Sequence, residues 1–377
     1  MTKRKHESSK QAEKMQHSHA GFRDRILETV AERQTLYIKG SGSKAWYGAA
    51  AEGSAFPTNI LHTSEYKGII AYEPSELYLT VRCGTALTKV EEVLDDYGQM
   101  LAFEPPHFGP HATVGGMLAC GLSGPRRANA GAMREHVLGV LMMDGRGNVL
   151  QFGGQVMKNV AGFDVSRLMV GSLGCLGLIL DITLKVLPKP QAEISLAFEM
   201  SELDALDCLN RWAGQSLPIS ASSYHVGRLM LRLSGSEVAL QSARKKLGGL
   251  EILDAKAYWQ SLREQSHHFF LPEQDHQLWR MALPSSAPAL PIRCKTMIEW
   301  GGAQRWLWTH ESADTLRVMA EKMGGHLSRF RYGSGATFAV LPAPVLQIHQ
   351  RLKKQFDPAY IFNRSHLFES GNTDERT

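Results

Sequence analysis

The sequence has no apolar run of ~18 residues, the length a membrane-spanning helix requires, and its first residues hold no apolar core of a secretory leader. The expected location is therefore the cytoplasm. Cysteine is scarce: Cys83, Cys120, Cys175, Cys208 and Cys294 stand singly, with no C-x-x-C pair and no spacing suited to zinc or an iron–sulfur cluster. Buried free thiols in a reducing compartment are the expectation. Two nucleotide signatures are also missing. The P-loop pattern G-x-x-x-x-G-K-[ST] is absent, which removes the usual triphosphatase reading. Gly40-Ser-Gly42 is followed by Ser, Lys, Ala and Trp where a Rossmann turn needs its third glycine, and Gly171-x-x-Gly174-x-x-Gly177 has the wrong spacing.

What is present describes a globular chain. At 43% apolar and 21% charged, 377 residues can bury a substantial core and divide into two domains. Part of the +5 net charge comes from Lys3, Arg4, Lys5, Lys10 and Lys14, within a basic tail over residues 1–20. No aromatics are interleaved with those charges, so the tail is expected to be solvated, with no nucleic-acid role.

Phe22, Ile26, Leu27 and Val30 repeat at helical spacing, and Leu36-Tyr37-Ile38 is a short strand entering Lys39-Gly-Ser-Gly-Ser-Lys44. Tyr78 to Arg82 is another strand, and Thr88 with Glu91 three residues on opens a helix along Val90, Val93, Leu94 and Tyr97. Val137–Met143 and Val149–Phe152 flank the turn Asp144-Gly-Arg-Gly147, and Leu178 to Val186 alternates as a strand. Pro188-Lys-Pro190 suggests a boundary, giving domains 21–190 and 191–363 and a tail over 364–377.

The second half is less legible. Leu203–Trp212 and Ser236–Leu250 are helical by pattern and Met230–Leu233 is a strand, which suits a smaller α+β domain, a ferredoxin-like sheet being one form of it. Six of the seven tryptophans fall there, among them Trp300, Trp306 and Trp308, and core or interface burial is expected of them ahead of flavin stacking.

The chemistry lies in the glycines. A bound pyrophosphate needs several converging backbone N–H groups on a chain free of Cβ atoms and able to take positive φ. One such loop would mean little. Here there are three in one domain: Lys39 to Lys44; Thr113-Val-Gly-Gly116 with its continuation Gly121-Leu-Ser-Gly124; and Gly171-Ser-Leu-Gly-Cys-Leu-Gly177.

Tyr37-Ile-Lys-Gly-Ser-Gly-Ser-Lys44, Phe103-Glu-Pro-Pro-His-Phe-Gly-Pro-His-Ala-Thr-Val-Gly-Gly-Met117, Gly124-Pro-Arg-Arg127 and Val156-Met-Lys-Asn-Val-Ala-Gly-Phe-Asp164 resemble the ordered motifs of PCMH-type FAD-binding domains in the vanillyl-alcohol-oxidase superfamily. Through Trp300-Gly-Gly-Ala303 and Phe356-Asp-Pro-Ala-Tyr-Ile-Phe-Asn363, nearly the whole chain resembles the FAD-binding subunits of glycolate oxidases. The resemblance implies a two-subdomain PCMH-type FAD domain followed by the α+β domain, with FAD as cofactor. It implies that Gly40, Ser41, Gly42 and Ser43, with Thr113, Val114, Gly115 and Gly116, hold the diphosphate, that Ser123 and Gly124 continue the second loop, and that Gly174, Gly177 and Ile179 lie near the adenosine. Pro106, between Pro105 and His107, would pass the ribityl or ring region. For His107 and His111 a contact role and a place in an exposed loop stand equally. Some members tie flavin to a histidine in the first loop or a cysteine before the second. Ser43 stands at the first position and no cysteine immediately precedes Ala112, so non-covalent FAD is expected.

Oxidation of a 2-hydroxy acid needs a base, a cation for the carboxylate and an electron acceptor. No base is evident from sequence. Arg126 and Arg127 suit phosphate or carboxylate, or are surface arginines; Lys158 and Asn159 beside Asp164 and Arg167 suit a structural polar network. His267-His268 is the only adjacent histidine pair, without a metal-site pattern around it. The resemblance thus implies a subunit that oxidises glycolate to glyoxylate alongside a larger flavoprotein subunit and an iron–sulfur subunit, cytoplasmic or held at the inner face of the plasma membrane through them. Two alternatives stay open: an autonomous FAD oxidoreductase such as an enolpyruvyl-sugar reductase, and a non-catalytic assembly subunit.

Overall fold

The computed structural model describes residues 18–48, 58–154, 163–273, 276–331, 337–364 and 366–367. The basic tail up to Lys14, the pair Lys158 and Asn159, and the tail beyond 367 lie outside the described residues.

The chain begins with helix α1 over residues 18–31, which buries Ile26 and turns Leu27 outward. Strands β1 (Tyr37–Lys39) and β2 (Ile60–His62) pair in parallel. There follow β3 (Ile69–Glu73), β4 (Tyr78–Arg82), α2 (Leu87–Asp96), β5 (Gln99–Met100), α3 (Val114–Cys120) and α4 (Arg127–Ala130). Next come β6 (Val137–Met143), β7 (Val149–Gly153), α5 (Val165–Leu168), β8 (Leu178–Lys185) and β9 (Leu187–Pro188). The five longer strands form an antiparallel sheet in the order β3-β4-β8-β6-β7.

β8 sits at its centre because its alternation is complete. Leu178, Leu180, Ile182 and Leu184 are fully buried on one face. Its opposite face carries Ile179, Asp181, which accepts from Tyr66 Oη at 2.8 Å, and Thr183, 3.0 Å from Thr80 Oγ1. The helix expected to open at Thr88 begins one residue earlier, with Ala86 as an N-cap that offers no side-chain bond. Glu91 is not a capping partner there because it points at the second half of the chain, 3.3 Å from Arg263 and 3.2 Å from His107 Nε2.

The chain changes sheets between Pro188 and Ala192. β10 (Ala192–Glu199), α6 (Glu202–Ala213), β11 (Ile219–His225), β12 (Arg228–Gly235), α7 (Glu237–Leu247) and β13 (Leu250–Ile252) precede α8 (Lys256–Arg263). The helix expected to run to Leu250 stops at Gly248 and Gly249, both at positive φ, and Leu250 already belongs to β13. Then come β14 (Gln277–Ala282), β15 (Lys295–Glu299), β16 (Gln304–Thr309), α9 (Ala313–Lys322), β17 (His326–Arg329) and α10 (Ala343–Phe356).

These strands form one antiparallel sheet of eight, ordered β13-β10-β12-β11-β15-β16-β14-β17. Each half runs fourth, first, third, second in its own chain order, the split βαβ arrangement of a ferredoxin-like unit. The units meet edge to edge through β11 and β15. The second layer is therefore a doubled ferredoxin-like sheet and not a small appendage. The second unit lacks a helix between its first two strands because Pro284, Pro288 and Pro291 interrupt that stretch.

The end of the described chain returns to the first layer. Phe356, Ile361 and Phe362 join its core, although the expected second domain ran to 363. Leu36 bridges Phe362 in parallel and donates its N–H to Ile361 O.

An ionic network centred on the buried Arg126 and Arg232 fastens the two layers. Arg126, from the first, pairs with Glu104 and Glu193, and Arg232 of β12 lies 2.8 Å from Glu104. Burial works to raise the Glu193 carboxyl, but the Ser234 hydroxyl and the charges of Arg232 and Arg126 outweigh it and hold the carboxyl below its usual value. Glu91 is likewise held low, burial being outweighed by His107 and Arg263. A carboxylate with a depressed folded pKa contributes stability above its unfolded value and loses it as pH falls through the folded one. Unfolding free energy should therefore decline as pH drops below the ordinary value of 4.5. Glu193→Gln should flatten that decline in urea titrations run from neutral pH into acid. An unchanged acid slope would show that the network does not carry it.

Candidate functional site

Gly40, Ser41, Gly42 and Ser43 leave the end of β1; Thr113, Gly115 and Gly116 stand at the head of α3; Gly174, Gly177 and Ile179 lead into β8. The fold brings all three turns to one open cleft.

The donors divide the turns by role. Among the described residues, the N–H groups of Gly40, Ser41, Gly42, Gly174 and Gly177 make no hydrogen bond. Val114 N–H, by contrast, donates to Thr85 O, Gly115 N–H to Cys83 O at 2.7 Å, and Gly116 N–H to Thr113 Oγ1. The first and third turns thus offer free donors to an anion, while the second spends its own pinning α3 against β4. A Cβ on Gly40 would stand 2.5 Å from Thr113 Oγ1, so the first turn and the head of α3 lie too close for a side chain between them. This arrangement fits a diphosphate cradle.

The third turn is held from far along the chain. Asn363 Oδ1 accepts from Ile38 N–H at 2.8 Å and its Nδ2 donates to Leu173 O at 2.7 Å, tying the first turn to the third. Gly174 is at φ +73°, and a Cβ there would meet Asn363 Nδ2 at 2.7 Å. Cys83 and Cys120 also line the cleft, their thiols pushed up to about 12 by burial. Burial thus disfavours their thiolate form.

Four expected residues lie elsewhere. Val114 is fully buried in the first core and faces away from the cleft. Pro106, Ser123 and Gly124 line a second, small pocket, which also takes Arg280, Glu299, Gln304 and Trp306 from the second sheet and Phe330 just past its last strand. Lys44 and Tyr47 stand between the two spaces. Lys44 Nζ donates to His107 O at 3.0 Å, and Arg280 Nη2 donates to Tyr47 Oη at 3.2 Å. Burial lowers the Lys44 pKa, opposed in part by Cys120 and Glu264.

Arg126 is committed to its network. Arg127 stacks 4.3 Å over the Trp300 ring. His107 is buried and His111 exposed. Trp259, Trp279, Trp306 and Trp308 are core residues. Sequence reasoning missed Lys44, Asn363, Arg280 and Glu299. Lys44 ends the first glycine loop and Asn363 the last quoted motif, each without a role assigned to it, whereas no local pattern marks Arg280 and Glu299.

The family described as FAD binding domain matches residues 18–153. The glycolate oxidase subunit GlcE of Escherichia coli (strain K12) is 44% identical over 346 residues, covering 92% of this chain and 96% of that protein. The glycolate oxidase subunit GlcD of Bacillus subtilis (strain 168) is 26% identical over 182 residues, 48% of this chain and 38% of that one. Among solved structures, an alkyldihydroxyacetonephosphate synthase superposes with a TM-score of 0.60 at 12% identity, over 89% of this chain and 72% of that chain, a likeness of fold.

Proposed function

The chain belongs to the family of the glycolate oxidase subunit GlcE, and we propose on that premise that it is the FAD-bearing subunit of a complex converting glycolate to glyoxylate. It is an FAD-dependent oxidoreductase of the hydroxy-acid-oxidising group. The observation that carries the reading is the cleft whose free N–H groups at Gly40 to Gly42, Gly174 and Gly177 suit a diphosphate. The second pocket adjoins it through Tyr47 and Arg280.

FAD supplies the two-electron acceptor for the C2–H and O–H of the substrate. The chain's residues would do the rest. The first and third turns would hold the diphosphate, with Asn363 fixing their separation. Gly116 and Thr113 would form the floor beneath it, and the packed aromatic group Trp46, Phe108 and Phe330 would keep water from the ring end.

Partners are part of the proposal: a larger flavoprotein subunit and an iron–sulfur subunit. The similarity to GlcD over about half the chain supports related FAD domains in two subunits. The five cysteines stand apart as free thiols, so an iron–sulfur relay would belong to another chain. No described helix is long and apolar enough to cross a membrane. We place the complex in the cytoplasm or peripherally at the inner face of the plasma membrane.

The test is to purify the chain alone and with those partners, measure flavin content, and add glycolate without oxygen. Flavin should copurify with the isolated chain, and its bleaching by glycolate should require the complex. A chain devoid of flavin in both preparations would overturn the proposal.

A further inference from the structure

The second pocket carries chemistry that the cradle does not. Glu299, at the end of β15, is buried; its Oε2 accepts from Trp306 Nε1 at 2.6 Å and from Gln304 Nε2 at 3.0 Å. Among the described residues, no donor is bonded to Oε1. On the same pocket wall Arg280 has Tyr47 Oη as its hydrogen-bond acceptor and the Phe330 ring beneath it, with no carboxylate partner among the described residues. Arg127 and His326 share its field, and each is pushed toward its neutral form first by burial and then by Arg280. Uncompensated positive charge beside a pocket favours an anion. Gln265 adds an independent sign: it lines the pocket at φ +53°, a backbone position side chains seldom hold, and its buried Oε1 has no hydrogen-bond donor among the described residues.

We propose that this pocket binds the 2-hydroxy acid itself, with Arg280 pairing the carboxylate and Glu299 taking the hydroxyl proton. The inference rests on the reading that this chain's FAD acts on a 2-hydroxy acid. The substrate would give up its C2 hydrogen with the bonding electron pair to the flavin and its hydroxyl proton to Glu299, leaving the 2-oxo acid. Substrate loses two electrons and two hydrogens, and the flavin and Glu299 together receive them.

The surroundings of Glu299 suit an acceptor. Burial raises its carboxyl to about 7, the Trp306 and Gln304 bonds opposing and the Glu104 charge assisting. Behind it Glu104 is matched by Arg126 and Arg232, with Glu193 beyond. Tyr258 of α8 also feels the Glu299 charge, and Arg263 of the same helix is bound to Glu264 and Glu91. Of the two arginines lining the pocket, Arg263 is matched by carboxylates and Arg280, among the described residues, is not. A base poised near neutrality combines availability with driving force.

The probe is oxalate, an unreactive two-carbon dianion, titrated into the FAD-loaded full chain, alone and in its complex, while the flavin spectrum is followed. Wild-type binding should weaken as pH rises through about 7, because Glu299 gains charge beside the anion. Glu299→Gln should keep oxalate binding, lose that pH dependence, and slow flavin reduction by glycolate about 10²- to 10⁴-fold. Arg280→Met should abolish the oxalate response with flavin content and melting temperature unchanged, and Arg280→Lys should restore part of it. Either residue's variants matching wild type would overturn that residue's role. If wild type neither responds to oxalate nor is reduced by glycolate even in the complex, the underlying reading fails and takes this inference with it. A wild type that responds while all three variants match it defeats the pocket assignment alone.

Discussion

Asp357→Ala is expected to cost about 3–5 kcal/mol of stability, the toll of leaving a buried partner charge alone, and to strip the chain of flavin. Asp357 is fully enclosed and Lys353, one helical turn earlier on α10, is nearly so. Lys353 Nζ donates to Asp357 Oδ2 and Cys175 O at 2.6 Å and to Phe362 O at 2.9 Å. Asp357 in turn accepts from Ile361 N–H and Phe362 N–H. Alanine would leave an ammonium and two backbone donors without their acceptor in a dry site. The loss reaches the cofactor because the same segment carries Asn363, and Cys175 adjoins Gly174. Lys353→Met should be milder, since Asp357 keeps its two backbone donors. Urea midpoints and retained flavin absorbance measure both effects; an Asp357→Ala chain that keeps wild-type stability would refute the burial argument.

Gly116→Val should yield a folded chain unable to hold FAD, whereas Gly115→Val should fail to fold normally. The neighbours differ by one residue and point opposite ways. A Cβ on Gly115 would lie 2.8 Å from Cys83 Cβ and 3.0 Å from Cys83 O, at the carbonyl that Gly115 N–H bonds. Valine there forces α3 off β4, an overpacking cost of about 1–3 kcal/mol or more. A Cβ on Gly116 meets only Thr113 Oγ1, at 3.3 Å, and its methyls would project over the cradle floor. Thermal melts separate the two variants, and FAD titration into the apo chain should show at least a hundredfold weaker affinity for Gly116→Val. Wild-type affinity in that variant would move the cradle off the head of α3.

Much of the first layer could be read from sequence because its signals are local. β8 alternates over its whole length, β6 and β7 flank a turn rich in glycine, and the glycine loops announce a backbone that must approach something. The failures were of two kinds. Glu91 sat at the right spacing for a capping partner, but Arg263 and His107 compete for it in space, and that competition is invisible along the chain. The second sheet was underestimated because it is made by joining two units at β11 and β15, through the register Ser223 with Glu299 and Tyr224 with Ile298, residues far apart in sequence whose pairing no periodicity records. For the site, glycine content pointed to turns that the fold gathers at one cleft. Arg280, Glu299 and Asn363 are ordinary residue types in ordinary contexts, and only folding gives them a common address.

Asn363 reaches back 325 positions to hold the N–H of Ile38. On a ribosome, the first turn emerges early and must wait for nearly the whole chain before its clamp arrives. With the proposed cradle, flavin capture would fall after translation of residue 363, and a chain cut short before that point would lack the tie between the first and third turns.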